Sequence, residues 1–165
     1  EERVAMNKLG AAILMISRGM PFFQAGEEML RTKDGDENSY KSSDEINNID
    51  WEVLTKDSKE YEVMQYYKQL MELRNAYEIF QSTSGTVSIS FKNLTSGAMV
   101  VTFTDNTSSK KVVAVINPST EVINYELTGE WYLIANDNKV DLSKNNKVTG
   151  NVTIDSIGIS IYANY

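Results

Sequence analysis

The chain has 165 residues, 41% of them hydrophobic, a formal net charge of -7, and neither cysteine nor histidine. That apolar share suffices for a real core, while no run approaches the ~18 apolar residues of a membrane span and no basic-then-apolar leader opens the sequence. Without His or Cys, thiolate and Ser-His nucleophiles, histidine bases and ordinary zinc sites are excluded, which leaves carboxylates, hydroxyls, Lys or an oxygen-bound metal.

The basic residues gather on no stripe, so neither nucleic acid nor a membrane is an expected partner. The lack of cysteine fits the bacterial cytoplasm and secretion equally, and localisation stays open.

Residues 1–18 carry Met6, Leu9, Ile13 and Ile16 at helical spacing, widened by Ala5, Ala11, Ala12 and Leu14, which predicts a helix buried on much of its circumference. Gly19 suits a left-handed stop, and Pro21 follows where a helix could not continue. The chain opens on Glu1-Glu2 with no capping turn, and the expectation is a cut end. Pro21–Ala25 reads as a short buried strand that delivers a long polar loop. A strand ending in Gly26-Glu27-Glu28 and spilling into Asp34, Asp36, Glu37, Asn38 and Tyr40 puts polar groups at its carboxyl end, where barrel enzymes keep substrate sites.

After Trp51, Asp57 with Glu60 three residues on resembles a capping box. It opens a helix over 57–77 whose inner face is Val63, Tyr66, Leu70, Leu73 and Tyr77, with Lys68, Gln69 and Glu72 near solvent. Helix, strand, loop, helix is an α/β unit, but a lone parallel-type strand needs neighbours that this unit does not supply. From Phe80 the texture becomes short alternating runs between Gly, Asn, Asp, Ser and Thr. Seven candidate strands result, ending in Ile157/Ile159/Ile161, and they predict an antiparallel β-sandwich of roughly 80 residues. Residues 82–86 read as a linker or as the entry to the first hairpin.

The polar loop admits two sharp readings beside that of a solvated turn. In one it binds sugar, because planar amides and carboxylates pair with hydroxyls while Tyr40 or Trp51 stacks on a pyranose face. In the other, Asp34, Asp36 and Asn38 with Glu45 at the twelfth position mimic a calcium loop, although Ser39 stands where that loop needs Gly. Calcium is the alternative cofactor expectation; otherwise no cofactor is implied. Two adjacent carboxylates, Glu27 and Glu28, cannot flank one glycosidic bond from a strand. One of them is expected in a salt bridge with Arg18 or Arg31. The sequons at Asn93, Asn106 and Asn151 are no more than chance yields in so Asn- and Thr-rich a stretch.

Gly19-Met-Pro21-Phe-Phe-Gln-Ala-Gly26-Glu-Glu28 resembles the segment at the eighth barrel strand of the α-amylase superfamily. The longer run FFQAGEEMLRTKDGDENSYKSSDEINNIDW resembles the corresponding stretch of type I pullulanases and their glycogen-debranching relatives. The resemblance implies an α+β fragment: the last αβα portion of a (β/α)8 barrel over 1–79, then a C-terminal β-sandwich domain over 80–165. It implies a retaining glycoside hydrolase acting on α-1,6 linkages of pullulan or branched α-glucans, whose aspartate nucleophile, glutamate acid/base and third aspartate follow strands not present here. The chain alone is then expected to be inactive and to carry no catalytic residue. Asn38, Tyr40, Asp36 and Arg31 are the expected substrate contacts, with Glu28 and Gly26 as site support. Expected partners are an α-glucan, the missing N-terminal barrel of the same polypeptide and, without it, another copy of the chain. The rival expectation is a non-catalytic carbohydrate-binding or structural β-sandwich module.

Overall fold

A computed structural model describes residues 1–82 and 85–165. The first helix, α1 (Glu2–Ile16), turns Leu9, Ala11, Ala12, Met15 and Ile16 inward. Met6 and Ile13, read from the sequence as core, are instead exposed. The helix is apolar around much of its surface, and its covered side faces chiefly the third helix and the last strand. It stops at Ser17, whose backbone is extended, and Gly19 takes its left-handed φ of +97° one residue later than a C′ glycine would.

Pro21–Ala25 is not a strand, which corrects the sequence expectation. Among the described residues no neighbouring strand offers it a ladder, and strand identity is a property of a pair. The segment runs irregularly, with Phe23 edge-on to Tyr67 and with Met20 and Phe22 exposed.

A four-residue helix, α2 (Asp44–Asn47), interrupts the polar loop. Then α3 (Lys59–Ala76) buries the face its periodicity announces: Val63, Tyr66, Leu70, Leu73 and, just past its end, Tyr77. Each such aliphatic side chain stabilises the fold by about 1.5–3 kcal/mol relative to exposure. Its cap is Ser58, not Asp57: the Ser58 hydroxyl accepts the Tyr61 N–H at 3.1 Å, so the predicted capping box does not form. Gln69 is also less free than expected, its Oε1 accepting the Val140 N–H at 3.0 Å.

Six antiparallel strands follow: β1 (Val87–Asn93), β2 (Met99–Asp105), β3 (Lys111–Asn117), β4 (Ile123–Asn136), β5 (Lys147–Ile154) and β6 (Gly158–Ala163). They form one hydrogen-bonded sheet in the order β1-β2-β3-β6-β4-β5. Two of the predicted strands are therefore one. The Thr128-Gly129 signal marks an irregularity inside β4, with φ of +96° at Gly129 and a register shift between Leu127 and Trp131, rather than a turn. Beyond it, β4 pairs with β6 on its other side.

The sheet buries both faces. One face (Val101, Phe103, Val112, Ala114, Ile159, Ile161) joins α1 and α3 in a single apolar cluster, with Phe80 edge-on to Phe103 at 5.2 Å. On the other, Val100, Val113 and Val115 meet Leu127, Trp131 and Ile154, so the sheet curls over itself instead of splitting into two separate sheets. The uninterrupted apolar run of β3 has this cause, since alternation is lost where both faces are dry. The predicted linker 82–86 falls partly on residues 83–84, outside the described residues.

Two buried polar side chains tie the parts together. Arg74 of α3 donates through Nη1 to the carbonyls of Met15 (2.6 Å) and Ser17 (2.8 Å) and through Nη2 to that of Gly19, closing the end of α1. Asn117, fully buried, donates to the carbonyls of Glu121 and Asp155 and accepts from Ser119, which pins the turn after β3 to the turn before β6.

Candidate functional site

The polar loop is built outward from Gly26. Its φ of +99° and the proximity of Arg31, whose Cδ a Cβ would meet at 2.6 Å, require glycine there. The Gly26 N–H donates to Glu28 Oε2 at 2.8 Å, while the Gly26 carbonyl accepts from Met29 (3.0 Å) and Arg31 (2.9 Å). Glu27 and Glu28 thus lie in a tight 3-10 turn (Glu27–Met29) rather than on a strand. Among the described residues neither forms the expected salt bridge: Arg18 donates to the Val87 carbonyl and Arg31 to the Ala25 and Asn47 carbonyls. Beneath the turn sits Tyr67 of α3, its hydroxyl pushed up to about 12 by burial and then by the Glu27 carboxylate.

Arg31 clasps the two ends of the loop, with Nη1 on the Ala25 carbonyl at 3.3 Å, Nη2 on the Asn47 carbonyl, and Nε buried without a partner. Asn47 is the hub that the sequence did not mark. Its Nδ2 donates to the Ser39 and Ser42 carbonyls (2.7 and 3.0 Å), and its Oδ1 accepts Lys33 Nζ at 2.6 Å. The same ammonium donates to Ser39 Oγ at 2.9 Å. A signal existed in the amide-rich Asn47-Asn48 pair behind a short helix, but nothing in its spacing pointed to Lys33.

Asp36 is occupied as well. It accepts the Asn38 N–H at 3.0 Å and the Ser42 hydroxyl, and these two bonds, Ser42 first, hold its carboxyl below the usual range. Asp34, in a left-handed turn with φ of 51°, exchanges hydrogen bonds with Thr32. Among the described residues no three acidic side chains converge to hold a metal ion, so Asp34, Asp36, Asn38 and Glu45 do not form the calcium cluster that their spacing suggested. A ligand spacing in sequence becomes a cage only when the backbone wraps around the ion, and here Asp34 and Asp36 are turned to the loop's own donors.

Beside this network runs a groove of about 410 Å³ lined by Arg31, Asp34, Glu45, Asn48, Asp50 and Glu60, with Met29 and Val53 also in its lining. The expected substrate contacts separate accordingly. Arg31 lines the groove; Asp36, Asn38 and Tyr40 do not, and Asn38 and Tyr40 stand exposed on the outer turn, Tyr40 with the Lys41 ammonium 5.2 Å from its ring centre. Trp51 is 64% exposed in a 3-10 turn (Trp51–Val53) that Asp50 caps by accepting the Glu52 N–H at 3.0 Å. Such an arrangement presents carboxylate acceptors, an amide and a guanidinium to a ligand in the groove.

No family model matches the chain. The pullulanase of Bacillus subtilis (strain 168) is 43% identical over 79 residues, which cover 47% of this chain and 10% of that protein. Among solved structures, the pullulanase from Bacillus acidopullulyticus matches with a TM-score of 0.84 and 26% identity over 98% of this chain and 20% of that one. The pullulanase from an Anoxybacillus species, complexed with maltotetraose, matches with a TM-score of 0.77 and 25% identity over 98% of this chain and 23% of that one. The chain therefore spans about a tenth of the length of this curated relative and about a fifth of these solved chains. Sequence and fold thus agree in what they resemble: over part of its length the chain is similar to the pullulanase of Bacillus subtilis, and over nearly all of it the fold is similar to that of solved pullulanases.

Proposed function

We propose that residues 1–165 belong to a retaining glycoside hydrolase that cleaves α-1,6 linkages of pullulan or branched α-glucans, and that they supply one wall of its cleft. The observation that carries the reading is the coincidence of 43% identity to a pullulanase with a fold match over 98% of the chain. The maltotetraose in the Anoxybacillus relative supports a glucan as ligand. Within the chain, Glu28 and Asp36 are spent on the loop's own N–H and O–H donors, which suits a supporting wall and not a catalytic pair. The carboxyl held highest, Asp137 at about 6, lies in the turn after β4, away from the loop. The reacting carboxylates accordingly come from barrel strands beyond this chain, and Asn38, Tyr40 and Arg31 contact or border the glucan.

The exposed apolar side chains of Met6 and Ile13 on α1, and of Met20 and Phe22 on the unladdered segment 20–25, are where the remaining barrel docks. The competing reading, a sugar-binding β module, loses its best aromatic: Trp131 is 8% exposed and its indole N–H donates to the Thr128 carbonyl at 3.1 Å. Pullulan hydrolysis tests the proposal. The full-length protein is expected to release maltotriose and the 165-residue chain none; absence of maltotriose with the full-length protein would refute it.

A further inference from the structure

We infer that the Asp34-Gly35 step is a site of spontaneous covalent modification, at which the Gly35 backbone nitrogen closes on the Asp34 carboxyl and the chain reopens as isoaspartate. The reaction needs no glucan and stands apart from the reading above.

Asp34-Gly35 is the one place in the sequence where Asp or Asn precedes Gly. Ring closure brings the following nitrogen against the Asp γ-carbon, and a Cβ on that following residue would crowd the approach. The fold adds no obstruction of its own: a Cβ at Gly35 would meet nothing within 4 Å apart from its chain neighbours, and both residues are exposed. The nucleophile is unoccupied as well, because among the described residues the Gly35 N–H donates to no acceptor. Other steps of this kind are held. At Asp57-Ser58 the Ser58 N–H is bonded to the Thr55 carbonyl at 2.9 Å. At Asp105-Asn106 the Asn106 N–H is bonded to the Thr86 carbonyl at 2.7 Å, and the carboxyl is taken by Thr107 and Ser108.

Asp34 and Gly35 are the central residues of a turn with φ of 51° and 84°, the mirror-image geometry that Asp-Gly favours. One backbone bond closes it, the Asp36 N–H on the Lys33 carbonyl at 2.9 Å. The Asp34 carboxyl is held only by the Thr32 hydroxyl, 3.2 Å from Oδ1. Ring closure takes Asp34 out of its left-handed conformation and breaks that exposed bond, but it also leaves a backbone region that L-residues enter at a cost. The turn therefore slows the reaction by no more than about tenfold.

The Gly35 nitrogen bonds to Asp34 Cγ, and the acid form of the carboxyl gives up its hydroxyl, which departs as water with the Gly35 amide proton. Water then adds back to the cyclic imide. Opening at the Cγ–N bond restores aspartate; opening at the bond from nitrogen to the former backbone carbonyl leaves the chain running through Cγ, with the old backbone carboxyl as the side group. Mass is unchanged, but the backbone gains one methylene. Asp34 lines the groove, and the adjacent Lys33 is bonded to Asn47 and Ser39, so the insertion falls where the groove meets the hub of the loop.

The test incubates the native full-length protein for several weeks at mildly acidic pH beside a synthetic peptide of residues 31–38. Mass spectrometry after digestion reads a product of unchanged mass that elutes separately and resists a protease cleaving before aspartate at position 34. The native protein is expected to convert at Asp34 within about tenfold of the peptide rate, and at Asp57 only when unfolded in urea. Asp34→Glu, which would need a larger ring, should abolish the product. No conversion at Asp34 in native protein while the peptide reacts, a product that maps to Asp36 or persists in Asp34→Glu, or equal conversion of Asp57 with and without urea would each overturn the inference.

Discussion

Replacing Arg74 by methionine keeps the length and most of the apolar stem of a side chain that is 7% exposed, but removes every donor it directs at α1. Three carbonyls lose their partner: Met15 at 2.6 Å, Ser17 at 2.8 Å and Gly19. Hydrogen bonds to a charged donor contribute roughly 1.5–3 kcal/mol each. Burial of the guanidinium offsets part of this sum, as the lowering of its pKa by desolvation indicates. A net loss of about 3–4 kcal/mol remains, against a total of about 5–15 for an ordinary domain. For a chain of this length, at roughly 2–4 °C per kcal/mol, Tm should fall by about 10 °C. Arg74→Lys should recover less than half of the loss, because one ammonium on a flexible stem cannot reach three carbonyls spread along a helix end and its exit. Urea denaturation followed by circular dichroism measures both variants. If Arg74→Met lies within about 0.5 kcal/mol of wild type, Arg74 does not hold α1 to α3.

Two further outcomes follow from the same structure. Asp137 accepts the Ile159 N–H at 2.6 Å, yet burial, the dominant effect, raises its carboxyl from 3.8 to about 6, with Asp155 adding to the rise and Lys8 opposing it. A raised folded pKa means that its contribution is complete below the unfolded value of about 4 and is lost as pH rises through about 6. Asp137→Asn keeps an acceptor for Ile159 and should flatten that window, with a gain of about 1–2 kcal/mol at pH 7 after allowance for partial exposure; an unchanged slope between pH 4 and 6 would contradict this. The second outcome concerns the exposed apolar side chains of segment 20–25. The 165-residue chain should self-associate through Met20 and Phe22, and the double change Met20→Ser and Phe22→Ser should shift it towards monomer. Light scattering that shows the unmodified chain as a monodisperse species of 18.6 kDa would disprove it.

What the sequence determined by itself was whatever depends on local period. The inner face of α3 is legible because Val63, Tyr66, Leu70, Leu73 and Tyr77 repeat at helical spacing and every one of them is buried. The antiparallel β half is legible because alternation and turn residues act within a few residues of each other. The run from Gly19 to Trp51 carried the family resemblance that the fold and the relatives then supported. Tertiary structure decided everything that depends on a distant partner. Pro21–Ala25 has strand-like residues but no ladder, because a strand requires a neighbour. Thr128-Gly129 looks like a turn but lies within β4, because β5 and β6 hold the chain on both sides of it. In the polar loop, composition named the groups that can bind a ligand. Only the folded chain showed which of them are already bound: Asp36 to Ser42 and Asn38, Glu28 to Gly26, Arg31 to Ala25 and Asn47, while Tyr40 and Trp51 stay exposed. A hydrogen-bonding group is available for function only after the fold has taken what it needs, and that allocation is set by contacts between residues far apart in sequence.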